Sequence, residues 1–488
     1  MSSGASASRP RVVVVGGGLS GLSAAIACLD AGAGVTLLEA RPRLGGATWS
    51  FDRKGLQFDN GQHVHLGCCT EYRSFLDRLG TSDLAPLRGR LALPVLEPRP
   101  GSGDPRVGWI RRSRLPLPAP LHLAGSLLTY EHLSLTERLA LLPPALRLRT
   151  TKLGDPKLDR SSFGDFLGRH RQSPRSVAAL WDLISLPTTN LHASDISLSL
   201  AAKVFKTGLL TRADGADIAW SDVPLARLHV EPAAKLIARL GGEVRTSARV
   251  SRLVTAAGAG GGPVVSEVLL DDGTSLAADA VVLAVQHDVA ASLLPPEAHP
   301  DPTSLRSLGV APIVNVHLVF DRRVTDYAVV AAISSPAQFV FDRTSAAGVE
   351  EGRFEQVLAV SLSGAENEIG ERPQVLIERM SKALTDLFPA ARRARVLDAV
   401  VTREHDATFR GVPGTAALRC GPETLVRNLS LAGAWTDTGW PATMEGAVRS
   451  GRGAARAALA AVGRSTEHRT GIAAHQEDRS KERQEAIA

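Results

Sequence analysis

Glycines at positions 16, 18 and 21 stand at the spacing with which a backbone wraps a phosphate. They follow the β-branched run Arg11–Val15 and lead into Ser20–Ala31, a small-residue stretch that reads as a helix. In that setting Gly16 permits the tight turn, Gly18 lets the backbone approach a pyrophosphate, and Gly21 lets helix and strand pack closely. The free N–H groups at the helix start, around Leu19 and Ser20, offer partial positive charge to an anion. A second strand, Val35–Glu39, ends on a carboxylate 23 residues after Gly16, where it can accept both hydroxyl hydrogens of an adenosine ribose. A loop of merely packing glycines gives Glu39 no role, so the pattern predicts dinucleotide binding.

Further stretches carry chemistry. In Glu39-Ala40-Arg41-Pro42-Arg43-Leu44-Gly45-Gly46, Arg43 brings a fixed cation toward the diphosphate, and Gly45 and Gly46 admit backbone N–H groups to it. In Phe58-Asp59-Asn60-Gly61-Gln62-His63, the histidine titrates near neutrality and is the natural general acid; a structural histidine satisfied by backbone is the other reading. Asp59 joins His63 as a catalytic candidate, and His65 shares its side if the segment is extended. Near the C-terminus runs Gly433-Ala434-Trp435-Thr436-Asp437-Thr438-Gly439-Trp440-Pro441-Ala442-Thr443-Met444-Glu445-Gly446. Pro441 pre-sets a helix start there. A helix N-terminus at Met444 and Glu445 can stabilise negative charge on a reduced ring. Glu445 has a plainer reading as a partner of the helix dipole. Val250, in Ala248-Arg249-Val250, begins a strand after a glycine turn.

These segments resemble the amine oxidase and phytoene desaturase flavoproteins, and most closely the bacterial hydroxysqualene dehydroxylases, also called squalene-associated FAD-dependent desaturases. The resemblance covers most of residues 11–460, is strongest at 11–67 and 429–455, and is thin at 86–160. It implies a glutathione-reductase-type, Rossmann-like α/β FAD-binding domain with an inserted α+β substrate domain. It implies noncovalent FAD, with no cysteine in the C-terminal stretch to link it. The backbone at Val250 meets adenine in relatives, and Gly433 approaches the flavin chain. The implied reaction is reductive removal of the allylic hydroxyl of hydroxysqualene, with hydride from reduced flavin and squalene, a hopanoid precursor, as product. Carotenoid desaturation, flavin amine oxidation and a non-catalytic lipid-binding flavoprotein are the alternatives. The family usually carries an acid after the glycine at 433; here Ala434 stands there, and Asp437 or a water is expected to substitute.

The elements that must hold these residues come in alternating blocks. Nucleotide-type α/β patterning is expected at 10–80, 228–310 and 411–462, and substrate-binding material at 81–227 and 311–410, with disordered ends at 1–9 and 463–488. Helices are read at 70–80, Leu133–Leu148, Phe163–Ile184, Pro232–Leu240 and Met444–Leu459, and a glycine-rich hairpin loop at Gly258–Gly262. Ile313–Phe320 and Gln356–Leu362 alternate apolar and polar residues, as half-buried strands do. Trp181 and Asn190 resemble residues of the dehydroxylase substrate domain, with Trp181 either a core anchor or a substrate platform.

The 488 residues, 44% apolar and 22% charged, suffice for two or three domains and exclude a wholly disordered chain. No secretion signal and no membrane-spanning run of about 18 apolar residues is legible. Four cysteines without metal-type spacing fit a reducing cytoplasm, with no metal expected. Residues 81–175 hold 16 basic and 8 acidic side chains within a chain of net charge +6. Lacking interleaved aromatics, this patch does not predict nucleic acid. Together with the polyprenoid lipid substrate that the resemblance implies, it is read as a peripheral membrane surface, on the inner face of the plasma membrane. Trp109, Ile110, Leu115, Leu117, Leu121, Leu123, Leu127 and Leu128 there interleave with Arg111, Arg112 and Arg114, followed by Arg138, Arg147 and Arg149. Ordinary core leucines and solvated arginines are the plainer reading. The electron donor is not legible.

Overall fold

A computed structural model describes residues 9–99, 101, 103–258, 262–350 and 355–463. Apart from Arg9 and Gly463, the expected disordered ends lie outside the described residues, as does most of the loop expected at 258–262.

Two sheets organise the chain. The first is parallel and five-stranded, in the order Leu429–Leu431, Ala280–Leu283, Arg11–Val15, Gly34–Leu38, Glu243–Arg245. Its inner strands are mostly apolar because both faces are covered, whereas the edge strand Glu243–Arg245 is polar. Val12 and Val14 pack beneath the helices Leu19–Asp30 and Met444–Ala461, while Val13 and Val15 meet the antiparallel layer of Val250–Ala257 and Pro263–Leu270. Small residues set these distances. A Cβ on Gly21 would stand 1.9 Å from the Gly16 carbonyl oxygen, and one on Gly451 2.1 Å from that of Ser20.

The second sheet has seven strands, ordered Val396–Thr408, Ala311–Phe320, Gln356–Ser363, Phe339–Asp342, Val329–Ala332, Ala92–Glu97, Arg106–Arg111. Neighbours run antiparallel except Val329–Ala332 beside Ala92–Glu97. The alternation in Ile313–Phe320 predicts one wet face, but both faces are dry. Val314, Val316 and Leu318 pack with residues of helix Pro373–Leu387, and Asn315 and His317 are buried against residues 58–61. Gln356 is likewise buried, with its amide shared between Val324 and Asp342.

Two local readings change, and the Pro- and Arg-rich stretch 86–120, where no element was read, contributes two strands, with Leu93, Val95 and Ile110 buried in the core. The helix expected at Leu133–Leu148 is two, Leu135–Ala140 and Leu142–Thr150, because Pro143 and Pro144 lack the N–H groups that would continue the first. The helix expected at Phe163–Ile184 stops at Arg169. Arg171 takes a left-handed φ of 52°, and Ser173 caps a fresh start at Pro174.

A buried ion pair ties a two-stranded hairpin to the second sheet. Asp59 ends the hairpin of Ser50–Arg53 and Leu56–Asp59, and its Oδ2 accepts from Arg343 Nη2 at 2.9 Å. Its Oδ1 accepts from Ser50 Oγ at 2.6 Å and from the Leu225 N–H at 2.9 Å. Arg343 also donates to the Ser221 carbonyl at 2.5 Å. Removing one member strands the other charge in the interior, so Arg343→Ala should destabilise the protein by about 3–5 kcal/mol in chemical denaturation. A change under about 1 kcal/mol, the worth of an exposed pair, would remove this pair from the framework.

Candidate active site

The glycine turn is built as a cradle. Gly16, at φ 108°, donates to the Leu38 carbonyl, and a side chain there would strike the Ala284 oxygen at 2.3 Å. Gly18 and Gly45 pair as a parallel bridge, with the Gly45 N–H on the Gly17 carbonyl at 2.9 Å, so the two phosphate-facing turns lie side by side. Gly46, at φ 57°, comes so near that its Cβ would stand 2.9 Å from Gly18 Cα. A Cβ on Gly18 itself meets nothing nearer than 3.7 Å. That bare face is open to a ligand, and beside it the helix from Leu19 and Ser20 starts without a side-chain cap.

Glu39 accepts from the Gly17 N–H through Oε2 and from the Arg41 N–H through Oε1, both at 2.8 Å. Each oxygen keeps lone-pair capacity for a ribose hydroxyl. The Ser247 and Ala248 N–H groups donate to the Arg41 and Glu39 carbonyls, which brings the strand from Val250 to the same end and Ala40 between them. Arg43 lies with its guanidinium 3.9 Å from the Trp49 ring centroid. Among the described residues no carboxylate pairs with it, and burial and Arg41 lower its pKa. A half-buried, unpaired cation beside two glycine turns fits a diphosphate.

From this cradle the chain runs through Asn60, Gly61 and His63 beneath the second sheet. The Asn60 carbonyl accepts from Thr402 Oγ1 at 2.6 Å and Asn315 Nδ2 at 3.2 Å. The Asn60 amide and the Trp49 indole both donate to Glu404 Oε1, at 2.8 and 3.0 Å. His63 is half-buried, with Nδ1 3.0 Å from the Gly61 carbonyl. A carbonyl only accepts, so Nδ1 carries the proton and Nε2 is left for chemistry. Burial lowers the His63 pKa against the pull of that carbonyl. His65 is buried edge-on to Tyr72, its pKa pushed down to about 4, so the strand Val64–Leu66 does not bring both histidines to one task. Val64, the next residue, pairs with Trp220, while Asp59, Glu404 and Arg343 lie close enough to His63 to act on its charge.

Two candidates change role. Asp59, read as catalytic, is occupied by Arg343, Ser50 and Leu225, and so positions the segment. Glu445, read as facing the cofactor, is buried and turned the other way. It accepts from the Glu71 and Tyr72 N–H groups at 3.2 and 2.7 Å, capping helix Thr70–Leu79, and pairs with Arg449 at 2.6 Å. The backbone still serves: Thr443 Oγ1 caps at Gly446, and the first N–H groups of the helix at Met444 and Glu445 have no intrahelical acceptor. Gly433 donates to Ser450 Oγ at 2.9 Å, and the buried Trp435 indole, bonded to the Val285 carbonyl, packs against it. Asp437 is exposed and accepts from its own Gly439 N–H, so it does not replace the missing acid at Ala434. Trp440 carries the Lys203 and Arg449 cations on its ring, and Trp435 is sealed in the core, so neither is a free aromatic wall. Trp181 is core, set among Phe163 and Phe205. Asn190 is a left-handed helix cap bonded to Thr408.

Arg343, Glu404, Thr402, Asn315 and Arg419 are absent from the sequence reading. Arg419 is buried and donates to the carbonyls of Trp435, Thr436 and Trp440, shaping the C-terminal loop. The one signal available was Asn315 itself, a carboxamide inside the apolar run 311–320.

The description flavin containing amine oxidoreductase matches residues 19–459. A hydroxysqualene dehydroxylase of Rhodopseudomonas palustris is 31% identical over 92% of this chain and 98% of its own. A 15-cis-phytoene desaturase of Capsicum annuum is 27% identical over 91% of this chain and 77% of its own. Among solved structures, an oxidoreductase from Methanosarcina mazei matches with TM-score 0.69 at 18% identity, covering 90% of this chain and 98% of that one. Cyclohexylamine oxidase from Brevibacterium oxydans matches with TM-score 0.65 at 21% identity, covering 93% and 100%. These last two share the fold.

Because a side chain at 18 clears the protein but not a pyrophosphate, Gly18→Val should purify folded with about a tenth or less of the parent's flavin absorbance. Gly21→Val, which collides with the Gly16 carbonyl, should fail to fold. Full flavin in Gly18→Val would contradict the cradle. With a family match that runs through both sheets, the chain belongs to the flavin containing amine oxidoreductases and is an FAD-dependent oxidoreductase.

Proposed function

We propose that this oxidoreductase removes the allylic hydroxyl of hydroxysqualene to give squalene, with FAD held noncovalently by the residues of the cradle. Support comes from the dehydroxylases at 27–31% identity over some nine-tenths of the chain. The observation that carries the reading is His63, whose Nδ1 is held by the Gly61 carbonyl so that Nε2 is left for chemistry at the end of the cradle segment. A polyprenoid alcohol has one polar group, and His63 Nε2 is a ring nitrogen that can meet it. The thiol of Cys420, whose backbone meets the C-terminal loop, is pushed up to about 11 by burial and stays protonated, which suits a noncovalent flavin.

FAD, once reduced by an external two-electron donor, supplies a hydride equivalent. The carbon–oxygen bond breaks, a carbon–hydrogen bond forms at the same carbon, and the hydroxyl leaves as water with one added proton. His63 supplies that proton from Nε2, while the Gly61 carbonyl holds Nδ1–H and fixes the ring. The desaturase relatives favour a second reading, oxidation of a polyprenoid hydrocarbon, in which His63 has no leaving group to protonate. Anaerobic incubation of dithionite-reduced protein with hydroxysqualene, presqualene diphosphate and phytoene decides between them. Squalene from hydroxysqualene alone is expected; desaturated phytoene from the oxidised protein, without dehydroxylation, overturns the reading.

His63→Ala should slow dehydroxylation roughly 10²-fold with flavin retained. The acid form is the active one and its pKa lies below 6.5, so turnover should fall as pH rises through that value. The variant should lose this dependence. Unchanged turnover, or the same pH profile in both proteins, makes His63 structural.

The substrate's membrane solubility calls for a docking surface, and we place it on the short helices between 121 and 150. No helix among the described residues is long and apolar enough to cross a membrane. Leu135, Leu139, Leu142 and Leu146 form an outward stripe, 45–62% exposed, flanked by exposed Leu115, Leu121 and Leu128. Arg111, Arg114, Arg147 and Arg149 are exposed around them. Other members of the expected set are unavailable. Arg112 pairs with buried Asp217 at 2.5 Å, Arg138 donates to the Leu128 carbonyl, Ile110 and Leu123 are core, and Trp109 lies beneath Arg111. Each exposed arginine near an anionic surface contributes about 1 kcal/mol, and the leucines add burial at about 25 cal/mol per Å². The protein should float with vesicles containing phosphatidylglycerol and less so in high salt. Leu135→Ser/Leu139→Ser/Leu142→Ser should abolish flotation while activity on detergent-dispersed substrate remains. Flotation equal to the parent's would move the docking surface elsewhere.

A further inference from the structure

We propose that Asn315 is the residue that recognises the substrate's hydroxyl: its carboxamide oxygen accepts the hydroxyl hydrogen and turns the oxygen toward His63. The inference rests on the dehydroxylase reading and deepens it.

Asn315 lies on the central strand Ala311–Phe320, and none of its surface is exposed. A fully buried carboxamide must satisfy two donors and an acceptor or lose stability. One end is settled. Asn315 Nδ2 donates to the Asn60 carbonyl, which also takes the Thr402 hydroxyl. A carbonyl cannot donate, so the NH₂ group must face Asn60 and the oxygen must point away from it. That oxygen, Oδ1, has no partner among the described residues. The cross-strand neighbours are Thr402, whose hydroxyl is committed to Asn60, and Ser361.

Gly61 relates this orphan to His63. A Cβ built on Gly61 would stand 3.0 Å from Asn315 Nδ2, 3.7 Å from Asn315 Cγ and 3.7 Å from His63 Cε1. The carboxamide and the imidazole therefore both come close to one bare glycine, and a side chain there would crowd Asn315 Nδ2. Gly61 has no positive φ to explain it, so the space is what a glycine provides at this point.

The two side chains offer complementary valences. Asn315 Oδ1 accepts only, and His63 Nε2 donates when the ring is protonated. A hydroxyl donates once and accepts, so one group satisfies both. After carbon–oxygen cleavage the water formed has two hydrogens, and Asn315 Oδ1 and the now neutral His63 Nε2 are two acceptors. A hydrocarbon leaves the Asn315 oxygen unpaired, and this penalty favours the alcohol over squalene as the ligand that stays. Asn315 acts here as a positioning and specificity residue, with proton transfer belonging to His63.

Threonine and valine have the same shape and both suit a strand, so Asn315→Thr and Asn315→Val share any loss of packing. Only threonine can donate to Asn60 and still accept from a ligand. Both should bind FAD as the parent does. Titration of each holoenzyme with hydroxysqualene and with squalene, followed by flavin absorbance, separates the roles. Asn315→Val should bind hydroxysqualene at least about tenfold more weakly than Asn315→Thr, while squalene binds the two alike. KM should rise in Asn315→Val, with the pH profile set by His63 kept. Equal hydroxysqualene affinity in the two variants, or squalene weakened as much as hydroxysqualene, overturns the role of Asn315 and leaves the dehydroxylase reading standing. A parent protein that neither binds nor converts hydroxysqualene overturns both.

Discussion

A carboxylate removed from water has to be paired, and the pairing of Asp59 governs this molecule. Its ion pair with Arg343 and its bonds to Ser50 and the Leu225 N–H join the cradle segment to the second sheet. The next residue repeats the pattern in neutral form, with the Asn60 carbonyl taken by Thr402 and Asn315 and its amide by Glu404. Two consecutive residues thus hold the segment under the antiparallel sheet, and the following two, Gly61 and Gln62, carry it to His63. The glycine turn at 16–21 and the ring at 63 lie on one continuous stretch. The second sheet is its roof.

The nucleotide half was legible because its signals are local. Strand, turn, helix and acid lie within residues 11–39, and each glycine of the turn at 16–21 answers to a contact that excludes a side chain, or, at Gly18, to an open face. The catalytic half was less legible because its partners come from far along the chain. Arg343 is 284 residues from Asp59 and Glu404 is 344 from Asn60, separations across which no spacing rule operates. Asn315 and His317 read as the wet face of an amphipathic strand until residues 58–61 are laid across them. Glu445 was misread for a similar reason: a helix start attracts acids, and here the start it serves is that of Thr70–Leu79.

A large apolar substrate explains why polar groups are so few and so committed. An interior suited to a polyprenoid chain gains from burial in proportion to area, with little orientation. Orientation must come from whatever polar atoms remain unpaired, and in this region those include His63 Nε2, Gln62 Nε2 and Asn315 Oδ1. Neighbouring histidines are silenced by burial: His229 is pushed down to about 3 and His317 to about 4, so neither competes as a proton donor near neutrality. The exposed leucine stripe belongs to the same logic, since a substrate that lives in a bilayer must be collected from one.

The central claim is that electrons pass from the bound flavin to the carbon bearing the hydroxyl. Its most direct test is an anaerobic single turnover, in which reduced holoenzyme is mixed with one equivalent of hydroxysqualene and flavin absorbance is followed against squalene formed. The account predicts reoxidation in step with squalene, one for one, and no reoxidation by squalene itself. Flavin that stays reduced while hydroxysqualene persists, in protein whose flavin is reoxidised by other acceptors, would contradict it.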